Sequence, residues 1–346
     1  MKYRKIAVVL IATAVLLSLA SIASAQSAQK DPRVLGTRGS GFTAGIVKPQ
    51  QSNIYLTAAY SNANYGTGGV ALRNRPKGDI QISGVTGPAQ AAWLYWAVLL
   101  SNPSEKLLKE VAEVTLQREY PTGSPDPTGI QLQGTLLAVG ADPCWGSSGA
   151  WVYRAAVPTN VASGNGIYRI IESGSAVGAK DGGDPWAELV FPAWEGASLV
   201  IVGTGTASVG LIDGQAGTTF AGAYSNYYQL PATIGSESLV LFDAIGYDGQ
   251  IGDSRSIVSG SGYSSTNETT TVTGFPSGIS VLVAGQGGET GDSDWDGSAG
   301  WPLPQLWDDT AHDISNAFAA GDTWALVSYG TTWDCVGTVS AVISVQ

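Results

Sequence analysis

The chain reads as an all-β protein: an antiparallel β-sandwich or jelly roll of two packed β units, with one or two short helices. Three observations point there. Short apolar segments with period-two alternation or β-branched runs recur from Ile54 to the end. Gly, Pro, Asn and Asp break them at short intervals, and glycine alone supplies 46 of 346 residues. Charged residues make up only 13%. Polarity therefore comes from hydroxyls and amides, which suits a turn-rich extracellular β-protein.

The first segment is a leader. Lys2, Arg4 and Lys5 precede an apolar run from Ile6 to Ala20, and Ala23-Ser24-Ala25 follows as a small-x-small cleavage site. This is the layout of a secretory signal peptide over 1–25. The run is short for a membrane span, which needs about 20 residues; the other reading is an uncleaved N-terminal anchor. A mature start near Gln26 places the protein in the secreted, extracellular or cell-surface compartment, with no membrane span after cleavage. Residues 26–52 form a polar, Gly-containing arm.

The first β unit is expected over 53–225. Its strands are Ala91–Val98, Ala112–Glu119, Ile130–Val139, Ile167–Glu172, Trp186–Phe191, Ser198–Val202 and Ser208–Ile212. Asn102-Pro103-Ser104-Glu105 reads as a capping box with proline at the first helical position, opening a helix over Lys106–Ala112. The second unit, 226–346, has strands at Leu239–Ile245, Thr269–Thr273, Ile279–Val283, Trp324–Tyr329 and Val336–Val345. A second short helix is expected over Asp309–Ala320, stopped by Gly321. An echo supports two related units. Asn160 leads to Gly164-Asn165 and a strand from Tyr168, as Asn316 leads to Gly321-Asp322 and a strand from Trp324. Chance similarity in a Gly/Ser-rich chain explains it as well.

Acidic residues number 28 and basic residues 17. Losing the three leader cations leaves 14 against 28, a net charge of −14. Such a surface repels nucleic acid and anionic lipid and attracts divalent cations. Cys144 and Cys335 are the two cysteines. Outside the cytoplasm they read as one disulfide. It would close a loop of roughly 190 residues and remove about 4–5 kcal/mol of unfolded-chain entropy in the chain-entropy model. Two buried free thiols are the alternative.

The sharpest chemical motif is Asp292-Ser293-Asp294-Trp295-Asp296-Gly297. Three carboxylates two residues apart, followed by a turn glycine, suit a hard cation at oxygen distances of about 2.3–2.6 Å. Asp308 and Asp309 lie downstream and could complete the shell, as could Asp313. The spacing resembles D-x-D-x-D-G calcium loops, but the twelfth position is Leu303 rather than glutamate, so an EF-hand is excluded. Calcium is expected as a structural cofactor; the other reading is a solvated acidic loop. Trp295, Trp301 and Trp307 beside it are candidate ligand-stacking rings, or rings that pack the loop down. Tyr55, Tyr60 and Tyr65 form another polar-aromatic patch, while Trp93, Tyr95 and Trp96 read as sandwich core. Asp213-Gly214 and Asp248-Gly249 read as tight turns.

Enzyme signatures are sparse. His312 is the one histidine and sits in a polar stretch. No Gly-x-Ser-x-Gly occurs, so the nucleophile elbow is missing. A multi-histidine metal centre cannot form. A carboxylate-pair glycosidase stays open, because it needs only two acids.

Trp93-Leu94-Tyr95-Trp96, Cys144, Tyr153-Arg154, Gly164-Asn165-Gly166-Ile167-Tyr168, Gly196-Ala197-Ser198-Leu199-Val200-Ile201-Val202 and Asp213-Gly214 carry a resemblance. It is to an uncharacterised group of secreted bacterial and archaeal surface proteins. It spans Ala91–Gly214 and, less clearly, Leu306–Asp309. The resemblance implies a β-sandwich surface module and no reaction. The expectation is a secreted, non-enzymatic structural or adhesive protein of the cell surface or extracellular matrix. Its partners are copies of itself, cell-wall or extracellular polymers, or carbohydrate. The alternatives are a carbohydrate-binding module and a glycoside-acting enzyme.

Overall fold

Most of the apolar segments become strands where their alternation places them. The computed structural model describes residues 53–54, 56–119, 129–142, 145–172, 190–213, 218–220, 223–247, 269–285, 307–330 and 335–346. They fall in one compact unit, Lys48–Gln346. The chain enters through β1 (Asn53–Ile54), β2 (Ala58–Ala71), β3 (Lys77–Ile82) and β4 (Ala91–Leu100). Helix α1 (Glu105–Val111) precedes β5 (Glu113–Glu119), β6 (Ile130–Gln133), β7 (Thr135–Gly140), β8 (Gly149–Ala156) and β9 (Gly166–Glu172). Next come β10 (Ala193–Thr204), β11 (Ala207–Asp213), β12 (Thr218–Phe220), β13 (Ala223–Gln229) and β14 (Val240–Tyr247). The last strands are β15 (Thr269–Phe275), β16 (Ser280–Gly285), β17 (Trp307–Asp313), β18 (Trp324–Gly330) and β19 (Cys335–Val345).

The described residues form three sheets. One has ten strands, in the order β17-β14-β19-β11-β2-β10-β4-β8-β7 with β12 beside β19. The others run β3-β9-β5-β6 and β1-β13-β18-β15-β16. Pairing among the described residues is antiparallel except between β1 and β13. The all-β, sandwich-like class is therefore as the alternation predicts.

Among the described residues, three apolar cores hold the sheets together. In the first, Ile80, Leu116, Tyr168 and Ile170 of the four-stranded sheet meet Leu94, Trp96, Val98, Leu199 and Ile201 of the large sheet. Trp96 stacks on Tyr153 with ring centroids 5.6 Å apart. In the third, Tyr228, Val272, Val327 and Tyr329 of the five-stranded sheet meet Phe242, Ala244 and Ile343. Burying each such side chain is worth about 1.5–3 kcal/mol. The middle core joins Ala71, Tyr95, Leu99 and Val200 to Val209, Ile245, Trp307 and Val342. All eight belong to the ten-stranded sheet, so that sheet bends over and faces itself. The first core uses residues 70–201 and the third, apart from Leu56, residues from Ile212 onward. The 225–226 position lies inside β13, whose ladder with β18 runs unbroken from Ala223 to Gln229.

Two local expectations are corrected. Helix α1 is capped by Ser104, whose Oγ accepts from Leu107 N at 3.2 Å. Asn102 instead takes a left-handed φ of 48°, which asparagine tolerates. Starting at Ser104 turns Leu107, Leu108 and Val111 onto the first core. The helix expected over Asp309–Ala320 is replaced by the second half of strand β17, through Asp313, followed by a 3-10 turn at Ser315–Ala317. Pairing with β14, Ile245 opposite Asp309 and Tyr247 opposite Trp307, satisfies its backbone and overrides local propensity. No helix among the described residues is long and apolar enough to cross a membrane.

Candidate functional site

Alternation along β4 splits its aromatic run between two cores. Leu94 and Trp96 enter the first core, and Tyr95 enters the middle one. Tyr95 stands opposite Ser198 on β10 and Arg154 on β8. Its hydroxyl donates to Asp213 Oδ1 at 2.7 Å. Arg154 forms an ion pair with the other oxygen, Oδ2. The Arg154 guanidinium also lies 4.5 Å above the Trp93 ring centroid, and Trp93 Nε1 donates to Tyr60 Oη at 3.1 Å. Trp93, Tyr95, Arg154 and Asp213 thus meet in one connected cluster. Asp213 ends β11, and its backbone N–H donates to Thr57 Oγ1 at 3.2 Å.

A second group lines the same interior. Thr67 Oγ1 lies 2.8 Å from both carboxylate oxygens of Asp309. Trp307 Nε1 donates to Ser198 Oγ at 2.8 Å. Burial pushes the Asp309 carboxyl up to about 6, against the pull of hydrogen bonds from Ser198 and Thr67. Burial, together with the neighbouring Asp243 carboxylate, pushes the Tyr65 hydroxyl well above its ordinary value. Asp243 sits diagonally from Asp309 on the adjacent strand, two residues before Ile245. Close approach leaves no room for a side chain at two glycines: a Cβ on Gly196 would meet the Trp307 ring, and one on Gly337 the Tyr247 ring.

These contacts share one geometric property. Thr67 to Asp309, Ser198 to Trp307, Tyr95 to Asp213 and Arg154 to Asp213 all join strands that are not ladder neighbours. They cross the middle core and tie the two halves of the bent sheet together. Each neutral bond contributes about 1 kcal/mol net, and those to charged groups about 1.5–3 kcal/mol. Asp243 and Asp309 are buried at 1% and 7% exposure, and both carboxylates face the protein's own hydroxyls. The arrangement acts as a polar seam.

The expected site residues divide sharply. Trp307 is buried, donates to Ser198 and packs the middle core, so it is not an exposed stacking ring. The reason is register: as an inward residue of β17, it fills the space above Gly196. Asp309 likewise points into the seam toward Thr67 rather than into an acidic loop. Asp308 pairs with Gly246 in the β17 ladder, and Cys335 opens β19 opposite Phe220. Asp292, Asp294, Asp296, Trp295, Trp301 and Cys144 lie outside the described residues. Among the described residues, no group of three or more His, Cys, Asp or Glu is placed to hold a metal ion. Tyr60 and Tyr65, read as a polar-aromatic patch, pack against the middle core.

Two buried charged features have no signal in the sequence. Arg73 and Glu195 form a salt bridge with no side-chain exposure, and Trp145 covers the guanidinium at 4.1 Å. Breaking such a pair by removing one partner costs about 3–5 kcal/mol. Glu172 ends β9 on the side of the first core. Among the described residues neither of its carboxylate oxygens meets a hydrogen-bond partner, and burial raises its pKa to about 9.

No family model matches the chain, and no curated protein matches it. Solved structures resemble it distantly. N-glycanase F (PNGase F) aligns at 11% identity over 83% of this chain and 96% of its own, with a TM-score of 0.23. A structure of Sulfolobus turreted icosahedral virus aligns at 11% identity over 82% and 91%, with a TM-score of 0.23. The Faustovirus major capsid protein aligns at 7% identity over 83% and 90%, with a TM-score of 0.22. Scores this low transfer neither an activity nor a partner to this chain.

Proposed function

We propose that the chain is an exported, non-enzymatic structural or adhesive protein of the cell exterior. In this reading it associates with copies of itself or with extracellular polymer, and a disulfide and calcium stabilise it. The observation that carries the reading is the seam. Across the bent sheet Tyr95 and Arg154 bond to Asp213, Thr67 to Asp309 and Trp307 to Ser198, so these polar side chains engage one another. Groups engaged in this way lock a fold. Reacting groups would be presented to a substrate. The low charge content fits the same reading, since hydroxyls and amides cover an exported surface that internal crosslinks stabilise.

The test is a paired measurement on the native source. Fractionated cells should carry the protein in the exterior fraction. The purified protein should bind cell-wall or matrix polymer, or itself, without cleaving glycosidic or amide bonds. Recovery from the cytoplasm, or turnover of a polysaccharide or glycopeptide that Asp309→Asn abolishes, would overturn the reading.

A further inference from the structure

The ten-stranded sheet ends on β7, which among the described residues pairs only with β8. Natural sheets guard such edges with lysine, proline, bulges or very short strands, because unpaired backbone donors and acceptors template pairing with another chain. Three of the other edges here are guarded. β17 carries Asp308, Asp309 and Asp313, β3 carries Lys77 and Asp79, and β1 is two residues long. Strand β7, Thr135-Leu136-Leu137-Ala138-Val139-Gly140, carries neither charge nor proline; its one guard is a bulge between Leu136 and Ala138. The neutral stretch runs from Gly129 to Ala141. Leu136 and Val139 stand 45% and 50% exposed on it. The first charge after it, Asp142, is turned back into its own loop, where its oxygens accept from Trp145 N and Ser147 N, each at 2.9 Å.

We propose that β7 is a self-association edge, and that its occupant is β7 of a second copy, added antiparallel about a two-fold axis. Electrostatics selects this partner. The chain carries a net charge of −11, so two copies repel wherever their charged surfaces meet, and contact is favoured where charge is missing. A cationic partner would be drawn to the acidic surface instead. Antiparallel pairing of one edge with its own image matches donors to acceptors, length to length and neutral strip to neutral strip, as an isologous interface requires. The product is a continuous sheet across two copies, with Leu136 and Val139 covered by their symmetry mates. This inference rests on the self-association named in the proposed function and gives it a location.

The experiment is sedimentation equilibrium of the full exported chain, up to about 100 μM. The wild type should approach the mass of two copies. Val139→Lys should weaken association at least about tenfold, because it puts a cation, and the cost of desolvating it, into the neutral strip of both copies. Leu136→Lys serves if Val139→Lys does not fold, and an unchanged melting temperature confirms folding in either case. Gln81→Lys on the guarded β3 edge should leave the mass unchanged. A wild type that stays at one copy overturns the inference, as does a Val139→Lys chain that still pairs. So does loss of pairing from Leu282→Lys alone, since Leu282 lies on β16, another uncharged edge strand, and is 63% exposed. A one-copy protein recovered outside the cell sinks the β7 edge and leaves export standing. A β7-paired protein confined to the cytoplasm does the reverse.

Discussion

Tyr95 of β4 donates to Asp213 of β11 at 2.7 Å, although two strands separate them in the sheet. That bond exists only because the sheet closes on itself, so it measures closure directly. Asp213→Ala removes two partners at once and leaves the Arg154 cation over Trp93 without its counter-ion. The side chains of the pair are 19% and 7% exposed, so the loss should be about 2–3 kcal/mol. Chemical denaturation of Asp213→Ala, Arg154→Met and the double mutant checks it. The double mutant should recover part of the loss; strict additivity would show that the two groups do not interact.

Glu172 sets a pH dependence of unusual sign. An unfolded glutamate loses its proton near 4.5, while the buried group holds it to about 9. Between those values the unfolded chain binds fewer protons, so stability falls as pH rises, by up to about 1.4 kcal/mol per pH unit. The penalty is absent below about pH 4 and levels off above about 9. Asp309 adds a smaller effect of the same sign between its ordinary 3.8 and about 6. Glu172→Gln should therefore match the wild type at pH 4 and exceed it by a few kcal/mol at pH 8. Melting curves across that range check the prediction. An identical pH slope in both proteins would contradict it.

Trp307 separates a packing role from a ligand-stacking one. Trp307→Phe should cost about 1–2 kcal/mol by stranding Ser198, and Trp307→Ala about 3–5 kcal/mol by opening a cavity over Gly196. Thermal denaturation reads both. A stacking ring on the surface would change neither, and would instead reduce glycan binding.

Much of the fold is legible locally. Strand β4 was expected over Ala91–Val98 and runs Ala91–Leu100; β19 was expected over Val336–Val345 and runs Cys335–Val345. Their β-branched and aromatic residues announce them. β2 is built mostly from Ala, Asn, Gly and Tyr, so no apolar run betrays it, yet it lies at the centre of the large sheet. β13 alternates Tyr224, Asn226 and Tyr228 inward and reads as polar. The seam was the least legible feature. Asp213 next to Gly214 has the local signature of a turn, and its partners lie 118 and 59 residues away. Asp309 in an aspartate-rich stretch looks like an ion ligand until pairing with β14 turns it inward. Local pattern carries the strands; which halves of a bent sheet meet is a long-range property.

The cysteines and the acidic loop give one paired prediction on sequence grounds. Native material should show a Cys144–Cys335 crosslink by non-reducing peptide mapping. Reduction should lower stability by about 4–5 kcal/mol. Calcium should raise the melting temperature of the wild type and not of Asp294→Asn. Two free thiols in freshly isolated protein, or a calcium response that survives Asp294→Asn, would remove these stabilisers from the account.

N-terminal sequencing of protein taken from the cell exterior is the most direct check. The account predicts a first residue at or near Gln26 and no intact leader. Mature protein that retains Met1 and stays with the cytoplasm would contradict it.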